Sequence, residues 1–267
     1  MSMDRRNALK NIIGITTVAA GATLVPSFSA QAAPALEPKQ RLKYARLDPA
    51  AVAAIAYRED VRSLGCMYQV FHAIVEALAN SDSDDAEKFA NIPTALSVYG
   101  GGGVAGQGTV CGNNNATGML YSILSINGEA PKSLGKVSAY YEQTMLPRND
   151  EAFLTAVGAT KEDFDAKVAV QTEAHSLLCH ASLTRWSDAA GIPISAKGMR
   201  CQLLSASIAW RTVELLNAEL AGDDISAIPG DTAETSECLG CHTKGENPMG
   251  NASVMAHMEC DTCHGNL

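Results

Sequence analysis

The sequence predicts an all-α fold: a helical body followed by a little-structured C-terminal segment. Three observations carry this. Apolar residues recur at three-to-four spacing along most of the chain, alternating β-branched runs are absent, and the last 31 residues have almost no apolar periodicity. With 267 residues, 46% of them hydrophobic and only 18% charged, the chain is long enough for a sizeable core. That balance excludes collagen, disorder throughout and a small disulfide scaffold. A formal charge of -9 repels phosphate backbones, which argues against nucleic acid as a partner.

Residues 1–32 read as an export signal. Arg5 and Arg6 precede a mildly apolar stretch from Ile12 to Val25, and Ser29-Ala30-Gln31-Ala32 supplies a small-x-small exit with cleavage expected after Ala32. The arginine pair resembles a twin-arginine signal, with Ala8 where that pattern usually has Phe or Leu. Gly14, Thr16, Thr17, Gly21 and Thr23 make the stretch too polar and too short to span a bilayer. The mature chain is therefore expected in the periplasm, without a membrane span.

Residues 33–225 form the expected helical body. Asp48 and Pro49 give an N-cap and a first-turn proline to a helix through Ala50 to about Glu59. Cys66, Val70, Ile74, Val75 and Leu78 mark a second amphipathic helix. Residues 99–112 carry too many glycines for regular structure and read as a loop. Helical patterns resume at about 116–126, 134–146, 161–189 and 197–221, the last with Leu203, Ile208, Leu215, Leu216 and Leu220 on one face. Asp, Ser, Thr, Gly and Pro then dominate residues 222–236, as in a linker.

Residues 226–267 hold the strongest chemical signal. Cys238-Leu-Gly-Cys241-His242 and Cys260-Asp-Thr-Cys263-His264 are two C-x-x-C-H motifs, the pattern of covalent haem c attachment. The cysteines fix the vinyl groups as thioethers; His242 and His264 are placed beneath the irons as proximal ligands. A zinc ribbon fits the eighteen residues between Cys241 and Cys260, but four thiolates would leave both histidines without a role. Two tight disulfide loops would leave them equally unexplained. Two covalent haems also explain how a segment without its own core becomes ordered.

Four histidines remain as sixth ligands: His72, His175, His180 and His257. His257 lies too near Cys260 to wrap round that haem and is expected to reach the haem at Cys238 and Cys241. The second haem must draw on the body or on a partner subunit, with His180 the first choice and His175, read as lying on the same helix, the second. Met249, Met255 and Met258 are rival ligands or haem cover.

Cys66, Cys111, Cys179 and Cys201 form a second set, none close to another in sequence. They can be buried small hydrophobes, disulfides in an oxidising compartment, or thiolate ligands of an iron–sulfur cluster. Export in the folded state favours the cluster, because a cofactor built in the cytoplasm must travel with the folded chain.

Gly65-Cys66, the glycine run into Thr109-Val110-Cys111-Gly112 with Gly118 after it, Cys179 and Cys201 resemble the C-GCAxxG-C-C redox-active proteins. With two haem motifs appended, the mature chain resembles the split-Soret cytochromes c of sulfate-reducing bacteria. The resemblance implies a homodimer with two haems per subunit gathered at one end and stacked across the dimer. It also implies bis-histidine iron with one ligand from the partner subunit, and an iron–sulfur site on Cys66, Cys111, Cys179 and Cys201. One departure is visible: three asparagines stretch the step from Cys111-Gly112 to Ala116 and Gly118. The expected activity is electron transfer with redox partner proteins; a haem reductase with one open iron is the alternative.

Overall fold

The computed structural model describes residues 40–242 and 257–265. The expected export signal and the segment with Met249 and Met255 lie outside the described residues.

The body is helical. Its elements are α1 (Pro49–Tyr57), α2 (Glu59–Arg62), α3 (Cys66–Ala79), α4 (Ala86–Ala90), α5 (Gly112–Ile123), α6 (Leu134–Gln143), α7 (Glu151–Val157), α8 (Lys161–Lys167), α9 (Cys179–Ala190) and α10 (Gly198–Ala221). Among the described residues, strands are confined to a parallel ladder of two residues each, β1 (Leu42–Lys43) on β2 (Leu124–Ser125). The Asp48 carboxylate accepts from Ala50 N at the start of α1, with Pro49 in the first turn. Helix α10 lies against α1, α3, α5, α6 and α8. Its Leu203, Ile208, Leu215 and Leu216 meet Met67, Val70, Ile74 and Leu78 of α3 and Val52 and Ala56 of α1 in one buried core. No helix among the described residues is long and apolar enough to cross a membrane.

Three expectations need correction. The pattern at 161–189 divides into α8 and α9, and residues 168–178 between them are irregular. Ala169 and His175 adopt positive φ, and Leu178 bridges Val110 of the glycine-rich loop, so this backbone spends its hydrogen bonds outside a helix. His175 is therefore not helical and does not share a helix with His180. Helix α7 was not among the expected helices, although Asp150 caps Phe153 N and Gly158 closes it in a left-handed turn. The tail is also more regular than its apolar pattern implies, with helices α11 (Ala233–His242) and α12 (Asp261–His264). The linker before it is fastened along α6: Lys136 Nζ donates to Ile228 O at 2.6 Å and Gln143 Nε2 to Gly230 O at 2.8 Å.

Candidate functional site

All four body cysteines stand at helix starts. Cys66 and Cys179 open α3 and α9, Cys111 immediately precedes α5, and Cys201 is in the first turn of α10. Glycine makes the convergence possible. A Cβ on Gly112 would sit 2.4 Å from Gly100 O, 2.6 Å from Cys66 Sγ and 2.7 Å from Met67 N, so only a bare backbone lets α3 and α5 begin side by side. Across the cavity, Cys179 N donates to Thr109 O and Cys111 N to Leu177 O, both at 2.8 Å. These bonds clamp the start of α9 to the glycine-rich loop. Ser205 Oγ donates to Asn113 Oδ1 at 2.8 Å and ties α10 to α5.

A cavity of about 640 Å³ is lined by Cys66, Cys111, Cys179 and Cys201 together. None of the four carries a disulfide. Their thiols perturb one another: Cys111 is pushed up to about 12 by its hydrogen bond to Cys179, whose own value that bond lowers. Cys66 is raised by its hydrogen bond with Cys111 and by burial, and Cys201 by burial. Four thiolates cannot share this space without compensating cations, which is the chemistry of a metal–thiolate centre. Among the described residues no three His, Cys, Asp or Glu side chains are arranged to hold a single metal ion. The four helix N-termini add partial positive charge towards anionic sulfur.

In the tail, Cys238, Cys241 and His242 occupy positions i, i+3 and i+4 of α11 and so share one face. Cys263 and His264 repeat the arrangement in α12, with Cys260 as its N-cap. Cys238 and Cys260 are neighbours whose mutual interaction raises Cys260 after burial has done so. The two motifs are thus brought together. Thr235 and Leu239 anchor α11 by burial, and Glu259 N donates to Glu142 Oε1 at 3.2 Å. Glu259 Oε2 lies 2.9 Å from His175 Nδ1, and Thr262 Oγ1 donates to His175 O.

The spare histidines differ. His257 has an exposed ring with Nδ1 2.9 Å from Asp231 Oδ2. His175 has Glu259 at one ring nitrogen and Glu173 3.1 Å from the other. His180 is exposed and lines the cysteine cavity rather than the tail. His72 is held by Thr94 and Glu76 and stacks on Tyr68, as a structural histidine would. Met258 is reached by Ser176 Oγ at 3.7 Å.

Sequence reasoning passed over Asn113, Tyr141 and Arg200, which line the same cavity. The three asparagines that stretch the Cys111 motif belong to the first turn of α5, and their one legible sign was that position.

Residues 205–265 match the family model described as cytochrome c554 and c-prime, a span containing both C-x-x-C-H motifs. Over most of its length the chain has the fold of split-Soret cytochrome c. The structure of that protein from Desulfovibrio desulfuricans ATCC 27774, described with a novel iron centre, is similar with a TM-score of 0.67 and 24% sequence identity, over 84% of this chain and 90% of that one. No curated protein sequence matches.

Proposed function

We propose that this chain is an exported, periplasmic di-haem c cytochrome that also carries an iron–sulfur cluster and transfers electrons between redox partner proteins as a homodimer. The observation that carries the reading is the pair of C-x-x-C-H turns set side by side, each with two thiols and an imidazole on one helical face. The match of residues 205–265 to cytochrome c554 and c-prime supports it, as does the iron centre described for the structural relative.

When bound, haem c supplies a one-electron couple, and a cluster supplies a second. Cys238 and Cys241 would hold one haem by thioethers and Cys260 and Cys263 the other, with His242 and His264 as the proximal iron ligands. His257, its Nδ1 held by Asp231, keeps Nε2 outward as a distal ligand for the first haem, because a carboxylate at one nitrogen fixes the tautomer that ligates through the other. The second haem would draw its distal ligand from the partner subunit, because both ring nitrogens of His175 meet carboxylates and His180 lines the cysteine cavity. Cys66, Cys111, Cys179 and Cys201 hold the cluster and keep it out of bulk water.

The test is composition. Protein isolated without oxygen from an exporting host should hold two haems per chain that survive denaturation, together with acid-labile sulfide. Cys241→Ala and Cys263→Ala should each disrupt one attachment, and Cys111→Ser should remove the sulfide. Haems retained after all four tail cysteines are replaced would refute covalent attachment. Body cysteines found paired in disulfides would refute the cluster. Rapid binding of carbon monoxide to the reduced protein would replace electron carriage by the open-iron reductase reading.

A further inference from the structure

The cysteine cavity contains unmet hydrogen-bond donors. Asn113 Nδ2, Tyr141 Oη and Arg200 Nε are all buried without a well-formed hydrogen bond, and all three residues line the cavity; Tyr141 and Arg200 already interact with the thiols of Cys111 and Cys201. They come from three helices, α5, α6 and α10, and are at most 2% exposed. Two are held in place by their other polar atoms. Asn113 Oδ1 accepts from Ser205 Oγ, and Arg200 Nη2 donates to Ser182 Oγ, each at 2.8 Å. An unpaired buried donor costs about 1–3 kcal/mol, so three facing one space would be a heavy defect unless something there accepts from them.

The surrounding charge says what that acceptor is. Although the chain carries -9, no Asp or Glu lines this cavity, whereas Arg62, Lys197 and Arg200 do. The four helix N-termini point the same way. A group with positive or zero net charge would gain little from such walls.

Resting on the cluster reading above, we infer that the cavity is built for an iron–sulfur cluster of net negative charge, and that Asn113, Tyr141 and Arg200 donate to its sulfurs. They are positioning residues, bonding to none of the irons. Their effect is on potential: hydrogen bonds to sulfur stabilise the more negative, reduced state and raise the potential.

The experiment uses holoprotein isolated without oxygen. Tyr141→Phe removes one hydroxyl from a buried site and leaves the ring. It should keep the wild-type iron and sulfide content, shift the potential of the non-haem signal downward and leave both haem potentials unchanged. After removal of the iron, the same variant should melt at or above the wild-type temperature, since the orphan is gone; a merely structural hydroxyl would instead lower it. Arg200→Lys keeps the charge but loses Nε, and should shift the same potential in the same direction if the Phe variant loses its iron. A cluster present at unchanged potential in both variants would overturn the inference and leave the cluster reading intact. Wild-type protein without labile sulfide would overturn both.

Discussion

His257 and His175 show how the same residue type takes opposite roles from its neighbours. One carboxylate on Nδ1 leaves the exposed His257 ring with an outward nitrogen; two carboxylates on His175 engage both. If the proposed bis-histidine ligation of two haems holds, His257→Met should convert one of them to a His/Met or high-spin signature and raise its potential, with the other unchanged. Redox titration followed optically checks this, and two unaltered potentials would show that His257 binds no iron. At this scale the chemistry was legible in the sequence wherever it is local. C-x-x-C-H places three side chains on one helical turn by spacing alone. Tyr141 and Arg200 carry no such spacing: they reach the cavity only where α6 and α10 meet, and Asn113 shows itself only as an interruption of a motif.

The body helices were readable from their apolar stripes, because α3 and α10 bury one face against each other. Their ends were less readable. Residues 168–178 were expected to be helical because sequence periodicity cannot see that Leu177 and Leu178 bond to the glycine-rich loop. That bonding makes the cysteine site a junction of helix starts, and its tightest point is Gly112. Gly112→Ala would force a Cβ to within 2.7 Å of two backbone atoms and the Cys66 sulfur. Overpacking of this kind costs about 1–3 kcal/mol, or roughly 2–4 °C of melting temperature per kcal/mol in a chain of this size. Gly118→Ala is the matched control: it lies within α5 and a Cβ there meets nothing within 4 Å. That substitution should stabilise by about 0.5–1 kcal/mol. Thermal melts of both variants, with sulfide content, check the pair; equal melting temperatures would mean that the helix starts are not crowded.

At the scale of the molecule, the haem tail and the cysteine site are joined by one segment. Its tail end is held by Glu259 and Thr262 on His175, and four residues later Cys179 enters the cavity wall. Glu142 is buried at this junction, and burial first, then the nearby Glu259 charge, pushes its carboxyl up to about 7. The folded value exceeds the ordinary 4.5, so protonated Glu142 favours the folded, docked state. Its contribution is complete below about pH 4.5, and is lost as the pH rises through about 7. A rise from 4.5 to about 7 corresponds to about 3 kcal/mol as an order of magnitude. Wild-type protein should accordingly lose denaturant resistance between pH 5 and pH 8 by more than other titrations explain. Glu142→Gln, neutral at every pH and still able to accept from Glu259 N, should lose less by that amount and be the more stable of the two at pH 8. Denaturant midpoints of both proteins at the two pH values measure the difference. Identical pH dependence would mean that Glu142 is solvated and that the tail does not close over it. Flattening confined to the variant would identify the carboxyl as the proton-binding element of the joint between the tail and the cysteine site.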